Sequence, residues 1–257
     1  MIPKVIHYCW FGHNPKSELV QRCIKSWKMQ CPDYEIVEWN EDNFDIHLNE
    51  YVREAYEAKK WAFVTDVARL WIIYHYGGIY LDTDVEMIRS FDALLNQHAF
   101  LGSEDQVHIS TGLGFGAEKN NPIIKMMLDD YRDVHFFKPD GSYDLTPCPD
   151  RNTKAVEKEL SRGKLSSGLL QLKDATIYPK EYFCPLDADG IRVNKTQNTY
   201  SIHWFSASWL SHDEQIVHEY RLFTKKCQSI LGKKAGIYAA RIIYLFHPHK
   251  RSALKRM

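Results

Sequence analysis

Residues 61–86 read WAFVTDVARLWIIYHYGGIYLDTDVE, and the fold class turns on this stretch. From Trp61 to Tyr76 nothing breaks a helix, and apolar residues fill nearly every position, which predicts a helix buried on most of its surface. Asp66 and Arg69 are its only formal charges. At i, i+3 they share a face, and on a buried helix they need partners. Gly77-Gly78 supplies a helix stop. Ile79-Tyr80-Leu81 then reads as a brief buried strand that ends in Asp82-Thr83-Asp84. Residues two apart on an extended chain point the same way, so both carboxylates can face one point in space. Like charges held together repel unless a cation lies between them or one is protonated. Hard oxygen ligands suit Mn²⁺ or Mg²⁺. An isolated D-x-D is most often a solvated turn, but this one directly follows a buried strand and a charged helix face.

Three spaced motifs carry a family resemblance. The block AFVTDVARL with GGIYLDTDV, the opening IPKVIHYCWFG and the late SIHWFSASW are together similar to glycosyltransferase family 32. These D-x-D sugar transferases are related to capsular-polysaccharide enzymes and to initiating mannosyltransferases, and a similar constellation occurs in clostridial toxin glucosyltransferase domains. The resemblance runs from about Ile2 to Trp209. It implies an α/β, GT-A-like fold: a single Rossmann-type nucleotide-sugar-binding domain with a mixed central sheet, acceptor-side insertions and a helical C-terminal extension. The expected division is residues 1–212 for the transferase domain and 213–257 for the extension.

The residue roles follow from the same resemblance. Asp84 is expected as principal metal ligand, with Asp82 binding the metal indirectly or holding the ribose. Asp66 and Arg69 would hold donor-sugar hydroxyls; the alternative is a structural ion pair. Trp10, at the end of the first strand, would stack on the nucleotide base or else serve as a core aromatic. His203 would complete the metal site or be a satisfied core histidine, and Ser208 and Trp209 would contact the diphosphate. The implied chemistry is transfer of a hexose from a UDP- or GDP-sugar, with retention of configuration, to a saccharide or lipid-linked saccharide in surface-polysaccharide synthesis. Two competing readings are a nucleotide-diphosphate phosphohydrolase and a catalytically silent, metal-containing membrane-docking module.

The whole chain sets broader bounds. Its 257 residues, 44% hydrophobic and 26% charged, are enough for a substantial core. Formal net charge is zero, which gives no argument for a nucleic-acid partner. The six cysteines form no C-x-x-C pair and fit no common zinc spacing. No secretory signal opens the sequence and no apolar run approaches the roughly 20 residues of a membrane span, so a cytoplasmic protein with reduced thiols is expected. Charge is unevenly placed: from Leu222 onward there are nine Lys or Arg and no acidic residue. The apolar positions there recur at helical spacing, so a basic amphipathic helix is expected, either at an anionic membrane surface or docked on the core.

Elsewhere the pattern predicts a βαβ unit from Lys4–Trp10, a helix capped by Ser17 and reaching about Gln30, and a strand at Tyr34–Trp39. Ile109–Ala117 (ISTGLGFGA) is either a strand that a ligand approaches closely or a bulged strand. Asn121-Pro122 starts a helix to about His135. Lys138–Arg151 reads as a loop, Thr153–Leu160 as one helix, and Leu165–Tyr178 as two short strands.

Overall fold

The opening strand β1 (Val5–Cys9) is followed by α1 (Glu18–Gln30), capped by the Ser17 hydroxyl, and β2 (Glu35–Trp39). These make the expected parallel βαβ unit, with β1 and β2 in register from Val5–Glu35 to Cys9–Trp39. Then come α2 (Glu50–Glu57), α3 (Trp61–Tyr76), β3 (Gly78–Tyr80) and β4 (Val85–Met87). Strands β5 (Ala99–Ser103), β6 (Ile109–Ser110) and β7 (Phe115–Ala117) follow, then helices α4 (Pro122–Asp129), α5 (Cys148–Ala155) and α6 (Glu157–Leu160). The chain continues through β8 (Leu170–Gln171), β9 (Thr176–Tyr178) and β10 (Ser201–His203) to α7 (His212–Leu231) and α8 (Lys233–Leu245). This computed structural model describes residues 1–105, 107–160, 168–187, 192–207 and 212–245.

The central sheet is mixed, in the order β2-β1-β3-β7-β5-β9-β8, with β6 on β5. This is the expected α/β class. Parallel pairing of β1 with β3 sends Cys9 and Leu81 out of the same edge of the sheet, the edge where open α/β sheets bind ligands. A second, two-stranded sheet joins β10 to β4 in antiparallel register, His203 opposite Val85. Two compact units divide the chain: Met1–Pro185 with Lys195–His203, and Leu186–Asn194 with Trp204–Met257.

Helix α3 is buried as its composition dictates. Phe63, Val64, Val67, Ala68, Leu70, Ile72 and Ile73 all lie in the core, and the helix packs on β1, β3 and β7 with α2 and α4 beside it. Gly77, at φ 71°, ends it in the left-handed region and donates its N–H to Ile73 O. The strand that follows is thereby returned into the sheet between β1 and β7.

Several expectations need correction. Lys138–Arg151 is not loop throughout, because α5 begins at Cys148 with Pro149 in its first turn, where proline's missing N–H costs nothing. The helix expected over Thr153–Leu160 is split at Val156 into α5 and α6. The helix from Pro122 stops at Asp129, six residues short of the expected end. Within 109–117 a 3₁₀ turn at Thr111–Leu113 separates β6 from β7.

Trp27 ties α1 to the strand that carries the site. It is fully buried, and its Nε1–H donates to Val85 O at 2.7 Å. Replacing Trp27 by Phe keeps most of the apolar volume and leaves a buried carbonyl unpaired. That variant should lose about 1–3 kcal/mol of unfolding free energy in a urea titration.

Candidate active site

The organising group is Arg69, which is 3% exposed. Its Nε donates to Thr65 O at 3.2 Å, one Nη donates to Asp66, and the other lies 3.5 Å from Asp82 Oδ2. Its Cζ sits 5.5 Å from the Tyr80 ring centroid. Burial opposes its charge, and the carboxylates of Asp82 and Asp66 outweigh burial, holding the guanidinium well above its ordinary range. Asp66 and Arg69, at i, i+3 on α3, are thus an ion pair, and the pairing extends across to the end of β3.

Asp66 feels the cost of that burial. Desolvation pushes its carboxyl up to about 6, against the pull of Arg69 and a hydrogen bond from the Cys148 thiol. Burial beside Asp66 and Asp82 in turn keeps Cys148 protonated, well above the ordinary thiol value. Cys148 also pairs with Thr111, whose Oγ1 accepts from Asn152 Nδ2 at 3.0 Å. Ile109 N–H donates to Thr153 Oγ1 at 2.9 Å and so anchors α5 against β6.

Asp82, Asp84 and His203 form the second half of the site. One ligand atom from each lies within 4.8 Å of the other two. His203 Nε2 is 3.0 Å from Asp84 Oδ1, a contact fixed by the β10–β4 register that places His203 opposite Val85. Asp82 is raised by desolvation and by Asp84, with Arg69 working against both. Burial disfavours a charged His203, but Asp84 and then Asp82 hold it above its ordinary value. Two carboxylates and an imidazole fit Mn²⁺ or Mg²⁺. A protonated imidazole and a divalent cation are alternative ways of neutralising the same two carboxylates.

A second acidic group, Glu50, Glu54 and His135, also brings ligand atoms within 4.8 Å. There Glu54 already accepts from Phe136 N, Phe137 N and His135 Nδ1 at 2.7, 2.9 and 2.9 Å. Arg53 pairs with Glu50 and lies 3.7 Å from Glu54. The charges of this group are met by backbone N–H groups, His135 and Arg53.

Trp10 directly follows β1 on the ligand edge, half-buried, with its Nε1 donating to Asn14 O at 2.7 Å and Lys16 Nζ 5.5 Å from the ring. Ser208 and Trp209 lie outside the described residues. Three further site groups carry little signal in the sequence. Tyr80 reads as core, and Cys148 sits in a proline-rich run that reads as loop. Gly112 lies inside the ISTGLGFGA stretch, and it is this site's close approach. A Cβ there would fall 2.7 Å from Asp82 Oδ2 and 3.3 Å from Arg69 Nη1.

Known proteins share this arrangement of sequence. Residues 17–101, which hold Asp66, Arg69, Asp82 and Asp84, match the family described as glycosyltransferase sugar-binding region containing DXD motif. That match covers less than half of the chain. Over 139 residues, 49% of the chain and 36% of the relative, it is 31% identical to inositol phosphoceramide mannosyltransferase 3 of Schizosaccharomyces pombe. Inositol phosphoceramide mannosyltransferase 2 of the same yeast is 26% identical over 235 residues, 84% of the chain and 61% of that protein. The chain thus spans from 36% to 61% of the length of these two relatives. A solved glycosyltransferase involved in glycosylation of the major capsid of PBCV-1 aligns with TM-score 0.47 and 13% identity, over 84% of the chain and 98% of that structure. The DXD region thus contains the Asp66–Arg69–Asp82 lock and Asp84, whereas Trp10 and His203 lie outside the matched span.

Asp66 sets a pH signature for the fold. Its folded carboxyl titrates near 6, against about 3.9 for an unfolded aspartate. The fold therefore binds this proton more tightly, and that contribution is complete below about pH 4 and lost as pH rises through about 6. Between those values the unfolding free energy of the wild type should fall by about 2 kcal/mol relative to Asp66→Asn. Denaturant titrations of both proteins at pH 4, 5, 6 and 7 check the slope.

Proposed function

We propose that this protein is a metal-dependent glycosyltransferase moving a hexose from a UDP- or GDP-sugar to a saccharide or lipid-linked saccharide. The observation that carries the reading is the convergence of Asp82, Asp84 and His203 beside the buried Asp66–Arg69 pair. Mannose stands first among the hexoses, because the yeast relatives' names specify mannosyl transfer. We place the reaction in the cytoplasm, in surface-polysaccharide assembly.

In this reading Asp84, Asp82 and His203 hold Mn²⁺ or Mg²⁺. The ion supplies charge neutralisation for the diphosphate leaving group. Asp66 accepts hydrogen bonds from donor-sugar hydroxyls, and Arg69 donates to them while keeping Asp66 and Asp82 in place. Trp10 stacks on the base, and Ser208 and Trp209 meet the diphosphate. The sugar C1–O bond to phosphate breaks and a new C1–O bond to the acceptor oxygen forms on the same face, so configuration is retained. The acceptor hydroxyl proton passes to the departing phosphate oxygen. This front-face route needs no second carboxylate as nucleophile.

The test is nucleotide release from a panel of UDP- and GDP-sugars with acceptor, in Mn²⁺ and in EDTA. Release from one donor should require the metal, and Asp84→Asn should lower it by at least about a hundredfold. Release indifferent to EDTA and to that substitution would remove the metal from the reaction. Gly112→Ala should lower turnover on the order of tenfold to a hundredfold, because its methyl displaces the Asp82 carboxylate. Its circular dichroism spectrum should stay that of the wild type.

A further inference from the structure

The second unit holds a helical hairpin whose chemistry the transfer reaction does not use. Helices α7 and α8 pack along each other through Gly236, where a Cβ would fall 2.4 Å from Gln228 Cα. This close backbone contact joins the two helices, and among the described residues of the hairpin Ile216, Val217 and Ala240 are the buried apolar side chains. The turn and outer face present large apolar side chains instead. Ile230 is 72% exposed, Leu231 54%, Tyr238 66% and Ile242 54%. Among the described residues, exposed large apolar side chains elsewhere stand alone or, at Tyr143 and Leu145, as a pair, which is ordinary. Four within thirteen residues concentrate exposed apolar surface on this hairpin, and such surface asks for a partner.

Charge identifies the kind of partner. Lys225, Lys226, Lys233, Lys234 and Arg241 are exposed on the same hairpin, and no acidic residue occurs from Leu222 onward. Along α8 the positions Lys234, Tyr238, Arg241 and Ile242 recur at i, i+4, i+7 and i+8, so they share one stripe. A basic stripe interleaved with an aromatic and aliphatic side chains is the pattern of a helix lying in a membrane interface. There the apolar groups enter the headgroup layer, and the lysine and arginine stems reach toward lipid phosphates. A second copy would set like charges against each other across a shared face. A nucleic acid would answer the charge and leave the aliphatic side chains in water. No described helix is long and apolar enough to cross a membrane.

We propose that the α7–α8 hairpin docks the protein on an anionic lipid bilayer, with Ile230, Leu231, Tyr238 and Ile242 in the headgroup layer and Lys233, Lys234 and Arg241 against lipid phosphates. This docking stands independently of the transferase reading.

Flotation of the full chain with vesicles of phosphatidylcholine, and of phosphatidylcholine with phosphatidylglycerol, tests it at low and high salt. The protein should float only with the anionic vesicles, and less so at high salt. The triple variant Lys233→Gln, Lys234→Gln, Arg241→Gln should bind on the order of a hundredfold more weakly. Tyr238→Ser with Ile242→Ser should weaken binding at least about tenfold, whereas Lys233→Arg with Lys234→Arg should retain it. All these positions are exposed, and circular dichroism checks that each variant keeps its helices. Failure of the wild type to float with anionic vesicles overturns the proposal, and so does equal flotation of the glutamine and serine variants. A dimer in sedimentation that Tyr238→Ser with Ile242→Ser dissociates, without vesicle binding, would assign the patch to a second copy instead.

Discussion

The buried guanidinium of Arg69 is the constraint on which the site depends. An arginine cannot shed its proton in a protein interior, so its charge must be met by carboxylates. Asp66 meets it from one turn earlier on α3, and Asp82 meets it from the end of β3. Helix and strand are thereby locked in one relation by a pair of contacts, and the short Gly77-Gly78 link leaves no other route between them. The lock also leaves a charge deficit. Among these four groups alone, Asp66, Asp82 and Asp84 stand against one guanidinium, a surplus of two negative charges when all three are ionised. A divalent cation matches that deficit, and a protonated His203 beside Asp84 meets half of it. The upward pull on Asp82 from Asp84, and on His203 from both aspartates, expresses the same imbalance.

His203 reaches this site by a route that local sequence does not encode. It comes from a strand more than a hundred residues downstream of Asp84, brought back by the three-residue β10–β4 ladder. That small sheet is held from the other side by α1: Trp27 donates to Val85 O, and the Ser26 hydroxyl accepts from Met87 N at 2.9 Å. The positions of Asp84 and His203 are therefore set by packing of the first helix as much as by the aspartate motif. Gly112 adds the last condition, since only a missing side chain leaves room for the Asp82 carboxylate against the 3₁₀ turn.

The parts of this arrangement that were legible beforehand are those with a local signal. The apolar saturation of α3, its two charges at i, i+3, the glycine stop and the alternation of Asp82 with Asp84 all act over a few residues. The βαβ opening was readable for the same reason, because Ser17 caps α1 and the strands flank it at short range. Cys148 was hidden by its neighbours, since prolines and a glycine in KPDGSYDLTPCPDR resemble a loop although Pro149 suits a helix's first turn. Tyr80 reads as any strand aromatic until Arg69 is seen over its ring. Helix α2 carried no reading at all, although the Asn49 side chain caps it through Val52 N at 2.9 Å. Gly112 had only an ambiguous signal, because closeness to Asp82 depends on how β7 pairs with β3, a long-range fact.

The direct measurement is a crystal soaked in Mn²⁺ with a nucleoside diphosphate and collected at the manganese absorption edge. One anomalous peak should appear among the carboxylates of Asp82 and Asp84 and the imidazole of His203, with His203 turned from hydrogen-bonding Asp84 to binding the ion. A peak at Glu50, Glu54 and His135 instead, or none near Asp84, would contradict the assignment of that triad as the metal centre.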